Sequence, residues 1–416
     1  MNNPLGPDNS ADQIHICMVV HARYPIGETR VEREALALVD CGYMVDTICL
    51  QEKNDPIQET VDGVNVYRLP VKRHQGSGFI NQLFEYLVFF ILAFNKIINL
   101  HHQQHYKVVH IHNIPDLLVF VGLIPKLTGA QVILDLHDLM PEFYAARFNR
   151  SLDSWPVRLI ILAERLSCRF ADQVITVTNG WRDVLIKRGV PTNKLNVVMN
   201  VPDERIFHSS SESRQTRISE NRFQLLYHGN LTRRYGIDLA IQAVSILREQ
   251  IPNIHLYIHG GGDYRRALIE MTNELGLNNF VGFNPHPILT SELPDLIRGA
   301  DICLVPYRSD VFTDGILPTK LMEYAALEMP VIAARTTAIQ AYFTDAMVEF
   351  FEPGDLDGLV GCIQKLYRNP SCLSDLKRGI HSFMQVYNWV KISREYVALV
   401  NRLCGKVETK RNLAVL

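Results

Sequence analysis

A lysine and a carboxylate stand three residues apart in Leu317-Pro318-Thr319-Lys320-Leu321-Met322-Glu323-Tyr324-Ala325-Ala326, just before the apolar run Pro330-Val331-Ile332-Ala333-Ala334. Proline suits the first turn of a helix, where its missing N–H costs nothing, so a helix is expected to start here and lead into a buried strand. The free amides of such a turn favour phosphate. Residues three apart share a helix face, so Lys320 and Glu323 would point the same way. An ammonium there suits a diphosphate, and an ionised carboxylate, which only accepts hydrogen bonds, suits the two hydroxyls of a ribose. The same residues also fit a solvated Lys/Glu pair on an ordinary amphipathic helix, and the rest of the chain must decide.

Other segments place polar residues where strands hand over to helices. The loop His21-Ala22-Arg23-Tyr24-Pro25-Ile26-Gly27-Glu28-Thr29-Arg30 carries one glycine, which lets backbone amides approach an anion or a sugar, or simply makes a turn. Val109–Asp116 and Leu134–Glu142 end strands as well, so His112, Asn113, His137 and Asp138 can meet sugar hydroxyls. His110 and His112 share a strand face, but no third ligand follows at helix spacing, and no metal is expected. In Tyr227-His228-Gly229-Asn230-Leu231-Thr232-Arg233-Arg234-Tyr235-Gly236 two adjacent arginines could neutralise a diphosphate and stabilise a leaving group, or form a solvated basic turn. The triple glycine of His259-Gly260-Gly261-Gly262-Asp263 calls for close backbone approach, to a neighbouring strand or to a ligand. Phe283-Asn284-Pro285-His286-Pro287 offers faces to a nucleobase, and Val305-Pro306-Tyr307-Arg308-Ser309-Asp310 leads into the lysine segment. Asp355-Leu356-Asp357 follows Pro353-Gly354 and reads as a helix cap rather than a metal site.

The elements that must position these residues follow from periodicity. Strands are expected at Ile14–His21, Met44–Leu50, Val64–Leu69, Val108–His112, Gln131–Leu136, Gln173–Val177 and Leu195–Val198, with helices near Glu32–Cys41, Phe79–Leu100, Pro115–Leu127, Val157–Phe170 and Gly180–Arg188. The pattern restarts with strands at Phe223–Tyr227, His255–His259, Phe280–Phe283, Ile302–Pro306, Val331–Ala333 and Glu349–Phe351. Alternation of this kind signals parallel sheets covered by helices, here two doubly wound α/β domains with ligands at the carboxyl ends of their strands. The expected division is residues 1–205, a linker over 206–221 containing the serine-rich Ser209–Arg217, a second domain over 222–380, and a terminal helix about Ile380–Leu403 within 381–416 whose aromatic stripe packs on the first domain.

The chain has 416 residues and nearly balanced charge, 42 Lys and Arg against 44 Asp and Glu, so no global field draws it to nucleic acid and any anion must be held locally. Its eight scattered cysteines show no zinc spacing and fit reduced core thiols of a cytoplasmic protein. The first residues lack a signal-peptide pattern. The run Phe79–Leu100 is apolar without interruption only over Tyr86–Phe94, short of the ~18 residues of a membrane span. It is expected to be a core helix, or one whose outer face (Phe84, Phe89, Phe90) dips into a bilayer surface beside Lys72 and Arg73.

Together the His21–Arg30 loop, Val109–Asn113, Leu134–Asp138, Gly229–Gly236, Ala300–Pro306 and Pro318–Ala333 resemble, in order and over nearly the whole chain, the retaining glycosyltransferases of family four, group one. The resemblance implies the GT-B arrangement: two Rossmann-like domains facing a cleft, acceptor mainly on the first, nucleotide-sugar on the second, and a C-terminal helix crossing back. It implies that Glu323 holds ribose hydroxyls, that His137 lies near the transferred sugar, and that Gly27 sits beside donor phosphate or acceptor. Backbone around Ile316, Leu317 and Thr319 would touch diphosphate or sugar. Departures are visible: the first of two usual glutamates falls at Gly315, beside Asp314, and the usual phosphate-binding arginine and lysine fall at Asn230 and Tyr235. Arg233, Arg234 or Lys320 must then substitute.

The expected catalytic set is His137, Arg234 and Lys320. The donor set is Gly27, Gly229, Asn230, Arg233, Gly261, Phe283, Tyr307, Ile316, Leu317, Thr319 and Glu323, and the acceptor set Arg23, His112, Asn113 and Asp138. The expected reaction is metal-independent, configuration-retaining transfer of a sugar from a nucleotide diphosphate, uridine above others, to a glycan or lipid-linked acceptor. No cofactor is expected beyond that co-substrate, and peripheral contact with the cytoplasmic membrane face stays open. The alternatives are a nucleotide-sugar epimerase and a non-catalytic sugar-nucleotide-binding partner of a transferase.

Overall fold

The computed structural model describes residues 13–25, 28–72, 79–208 and 222–406. The chain forms two compact units, one made of the chain to Met199 and again from Val390, the other of Asn200–Trp389. Gly27, Arg73, the serine-rich Ser209–Arg217 and the last ten residues lie outside the described residues.

In the first unit the strands are β1 (His15–Val19), β2 (Met44–Leu50), β3 (Gln58–Val61), β4 (Val64–Leu69), β5 (Val108–His112), β6 (Gln131–Leu136), β7 (Gln173–Thr176) and β8 (Leu195–Val197). They lie in the order β3-β4-β2-β1-β5-β6-β7-β8, all parallel except the β3–β4 hairpin at one edge. Every residue of β5 is buried, as a strand covered on both faces must be. The helices are α1 (Thr29–Asp40), α2 (Phe79–Gln104), α3 (Leu123–Leu127), α4 (Met140–Arg147), α5 (Trp155–Phe170) and α6 (Asn179–Lys187), with a 3₁₀ stretch over Asp116–Gly122. The order reverses direction between β1 and β5, which opens a crevice at their carboxyl ends.

The second unit has β9 (Phe223–His228), β10 (Ile254–His259), β11 (Val281–Asn284), β12 (Ile302–Val305), β13 (Val331–Ala334) and β14 (Glu349–Phe351), all parallel in the order β11-β10-β9-β12-β13-β14. Its helices are α7 (Ile237–Leu247), α8 (Arg265–Glu274), α9 (Leu293–Arg298), α10 (Thr319–Ala326), α11 (Thr337–Gln340), α12 (Leu356–Arg368) and α13 (Pro370–Val386). Here the switch lies between β9 and β12, and the lysine segment follows β12 directly.

Four expectations need correction. The short polar strand β3 escapes the apolar pattern because it is a half-exposed edge. Helix α4, which starts at Met140 with Pro141 in its first turn and runs to Arg147, stands where the sequence pattern places no helix. The single terminal helix is two: α13 ends at Val386, and α14 (Trp389–Leu403) starts after Tyr387-Asn388, where the Asn388 amide donates to the Met384 carbonyl at 3.2 Å. The aromatic stripe accordingly serves two cores, Phe383 stacking on Phe343 in the second unit at 4.2 Å and Tyr396 burying in the first. Asp355 does precede α12, but its carboxylate makes no capping bond.

Candidate active site

In the second unit, polar groups collect where β9, β10 and β12 end. Helix α10 begins with Pro318 in extended backbone, and its first turn carries Lys320 inward. The Lys320 ammonium donates to the Tyr227 hydroxyl at 2.7 Å, and that hydroxyl donates to the Asn230 carbonyl at 2.7 Å. Three rings surround the ammonium, Tyr227 at 4.0 Å, Tyr235 at 5.1 Å and Tyr307 at 5.4 Å from their centroids. Burial therefore pulls its pKa down to about 7, against the opposing pull of Glu323. The chain gap beside it is Gly229, at φ +113°, where any Cβ would stand 3.1 Å from Lys320 Nζ. Only a residue without a side chain leaves the ammonium approachable from that loop.

Glu323, one turn further along α10, is fixed from outside its own helix. His228 Nε2 lies 2.7 Å from Glu323 Oε2, and His228 Nδ1 lies 2.9 Å from the Tyr324 hydroxyl. That hydroxyl also accepts the His228 backbone N–H at 3.3 Å, so it donates to Nδ1 and leaves the ring proton on Nε2, aimed at the carboxylate. His228 is the residue that sequence reasoning missed here, since its role depends on β9 lying next to α10.

The glycine run has a packing role. A Cβ on Gly260 would meet the Gly229 carbonyl at 2.1 Å, and one on Gly262 would meet the Leu231 carbonyl at 2.3 Å, while Gly261 faces open space. Of the other donor candidates, Phe283, Ile316 and Leu317 are half-buried, and Asn230, Arg233 and Thr319 are exposed. Tyr307 is buried and stacks on Tyr235 at 4.6 Å, so its ring belongs to the cage around Lys320 instead of a ligand face. Arg234 lies 4.0 Å from Asp310 and 5.5 Å over the Phe312 ring. Asp314, beside the absent glutamate at Gly315, accepts the Thr337 amide at 2.9 Å and is occupied by α11.

The first unit builds its site at the β1–β5 crevice. His137 follows β6 and is held on three sides: Nδ1 lies 3.5 Å from Glu28, and Nε2 lies 3.4 Å from Asp135 and 3.1 Å from His112 Nδ1. Burial disfavours the imidazolium, but Asp135 and Glu28 outweigh it and raise the His137 pKa. Asp135 itself is fully buried, yet Arg30 donates to both its oxygens, at 2.8 and 3.1 Å, and keeps it well below the usual carboxylate range.

Two acceptor candidates prove to be internal supports. His112 is fully buried, its pKa driven to about 4 by burial, so it backs His137 instead of lining a ligand surface. Asn113 uses its whole amide on neighbours, donating to Asp116 at 3.0 Å and to the Asp138 carbonyl at 2.7 Å while accepting the His137 N–H at 2.9 Å. Asp138 is half-buried with its pKa raised to about 6 by burial, and Arg23 pairs with Glu52 at 3.1 Å and Asp55 at 3.2 Å. The fold also supplies what the sequence did not promise to His110 and His112, since Glu34 and Asp135 bring ligand atoms within 4.8 Å of theirs. Among these groups sits the Arg30 guanidinium, 3.1 Å from Glu34, so the cluster already carries a cation.

Two family models match in tandem, the glycosyl transferase 4-like domain over residues 27–200 and glycosyl transferases group 1 over residues 209–380. The chain belongs to the group 1 glycosyl transferases. One relative in the family is mannosylfructose-phosphate synthase of Agrobacterium fabrum, 26% identical over 251 residues, which are 57% of this chain and 54% of that protein. The chain thus aligns with only about half of that relative's length. Among solved structures, sucrose-phosphate synthase from Thermosynechococcus elongatus superposes with a TM-score of 0.78 at 19% identity, covering 94% of this chain and all of that one. Anabaena HepE in complex with UDP-glucose superposes at 0.72 and 16% identity over 94% of this chain and all of its own. The fold is of the GT-B class, as these group 1 neighbours are.

Proposed function

We propose that the protein transfers a sugar from a nucleoside diphosphate sugar, with uridine as the base, to a glycan or lipid-linked acceptor, retaining the anomeric configuration and using no metal. The observation that carries this reading is Lys320, an ammonium brought behind Gly229 at the switch point of the second sheet, one helical turn from a carboxylate that His228 orients. A diphosphate would supply the counter-charge that Lys320 lacks, and Glu323 Oε1 would accept from ribose hydroxyls. The uridine donor bound by HepE supports the choice of base.

In this reading the bond from the anomeric carbon to the diphosphate breaks as the acceptor oxygen attacks from the same face, and the acceptor proton passes to the departing phosphate oxygen. Lys320 and the α10 amides stabilise the charge that develops there, a service for which other members place a cation where this chain has Tyr235. His137, its pKa raised by Asp135 and Glu28, would meet the transferred sugar. All eight cysteines are free thiols, which supports a cytoplasmic setting where nucleotide-sugars are available.

Calorimetry with uridine, guanosine and adenosine diphosphates tests the donor site. Uridine diphosphate should bind, and Glu323→Ala should weaken it at least about tenfold, the loss expected for charge-assisted hydrogen bonds worth roughly 1.5–3 kcal/mol. Absence of nucleotide binding would refute the proposal. A non-catalytic sugar-nucleotide partner is the second reading, favoured by Gly315 in place of a carboxylate and by the commitment of Asp314 to Thr337. Slow donor hydrolysis that disappears in His137→Ala decides for transfer.

A further inference from the structure

The first unit carries an apolar face that the chemistry above does not use. Helix α5 buries Val157, Glu164, Ser167 and Cys168 and turns Trp155, Leu159, Leu162 and Leu166 outward, with Trp155 74% exposed. Helix α2 is seated on the sheet by Phe89, Ala93, Ile97 and Leu100 but exposes Leu83, Phe84, Leu87 and Ile91. Its most apolar stretch has a mean hydropathy of 1.7 and is only 28% buried. An amphipathic helix on a water-facing surface turns mainly polar residues outward; these two also turn outward large apolar residues that a core would take. The outward row differs from the expected Phe84, Phe89 and Phe90, since Phe89 packs on His21.

The two rows converge. Exposed Leu83, Leu117, Phe148 and Leu159 ring the mouth of one cavity of about 250 Å³, with Met140 and Phe143 of α4 in its wall. The charges that α5 turns outward beside it are cationic, while Asp116 in the cavity wall is buried and its pKa is raised to about 6 by that burial. The ionised side chains that α5 turns outward are Arg158, Arg165 and Arg169, and Arg147 stands at the cavity. The acids of the two helices face inward, Glu85 against His21 at 3.2 Å and Glu164 under Arg188 at 3.0 Å; Asp153, just before α5, is exposed. A second copy of the chain would set one cationic row against another, whereas an anionic lipid surface matches both the arginines and the leucines. Helix α2 does not cross such a surface, because Glu85 and the buried residues above hold it in the unit.

We propose that α2 and α5 dock the protein on an anionic lipid bilayer. The exposed Trp, Phe and Leu side chains sink into the boundary between headgroups and acyl chains, and the α5 arginines pair with lipid phosphates. The cavity accepts one acyl chain of the bilayer. The proposal stands apart from the transferase reading, since vesicle binding needs no nucleotide.

Flotation of the full chain with phosphatidylcholine vesicles, with and without phosphatidylglycerol, tests it. The protein should float with the anionic vesicles only. Replacing Arg158, Arg165 and Arg169 together by Gln should weaken binding on the order of a hundredfold, at about fivefold per basic residue near an anionic surface. Leu159→Glu with Leu162→Glu should abolish flotation while nucleotide binding is kept. The unaltered protein gives a second readout, because Trp155 is the exposed tryptophan while Trp181 and Trp389 are buried. Its emission should shift to the blue on vesicle binding and be quenched by brominated acyl chains. Failure to float, flotation unaffected by the glutamates, binding without a Trp155 response, or a dimer in solution that the glutamates dissociate would each overturn the proposal.

Discussion

If Lys320 meets the diphosphate, donor binding must take up a proton, and the amount follows from its surroundings. With a pKa of about 7 in the free protein, Lys320 is ~0.9 protonated at pH 6, ~0.5 at pH 7 and ~0.1 at pH 8 by simple titration. An anion beside Nζ restores the charged form, so binding should take up ~0.1, ~0.5 and ~0.9 proton at those three pH values, and affinity should fall roughly fivefold from pH 7 to 8 and about tenfold from pH 8 to 9. A nucleotide-sugar is the right ligand, because its diphosphate has no terminal group titrating near pH 6. Calorimetry at each pH in buffers of unlike ionisation enthalpy gives the proton count directly. Lys320→Met should bind weakly and without pH dependence over this range. Tight binding to the unaltered protein at pH 8 with no proton uptake would refute the reasoning, because the ammonium would then not be the group that receives the phosphate.

The same burial makes Lys320 a cost to the fold. Below pH 7 a folded pKa of about 7 against 10.5 unfolded destabilises the protein by up to about 4–5 kcal/mol, a penalty that fades as pH rises toward 10.5, so Lys320→Met should raise Tm most at low pH while impairing nucleotide binding. Asp135→Asn should lower the His137 pKa, because Asp135 is one of the two carboxylates that raise it, and should move the pH at which its imidazole resonances titrate downward in NMR; an unmoved titration would show that Glu28 alone sets it. The stability that protonated His137 contributes is complete below about pH 6.5 and is lost as pH rises through its folded pKa, and Asp135→Asn should weaken that dependence while removing one of Arg30's two carboxylate partners. Arg188→Ala leaves buried Glu142 and Glu164 without their shared cation and should cost about 3–5 kcal/mol by urea denaturation. Gly260→Ala forces a Cβ to within 2.1 Å of the Gly229 carbonyl at φ +132° and should cost about 1–3 kcal/mol or more while disturbing the loop over Lys320.

Much of the fold was legible because it rests on short-range pattern. Apolar runs such as Val108–His112 and Gln131–Leu136 are buried on both faces, and such strands announce themselves whatever surrounds them. Helix α4 and strand β3 did not, since a short helix half covered by neighbours and a polar edge strand carry no strong period. The break before Trp389 was hidden for a related reason: the apolar spacing runs on through Asn388 although the two halves pack into different cores.

The site divides along the same line. Lys320, Glu323, Gly229 and His137 could be picked out by residue type and by position at strand ends, because chemistry of that kind needs those groups there. Their working state could not. That Lys320 lies among three tyrosines with its pKa near 7, that His228 turns its proton toward Glu323, and that Arg30 holds Asp135 ionised beneath His137 are facts about residues tens to hundreds of positions apart. The sequence by itself determined which groups are present and which strand ends present them, since both follow from composition and period. Only the tertiary structure decided their charge, their hydrogen-bond partners and which apolar side chains remain outside, because burial and proximity are properties of packing between distant segments.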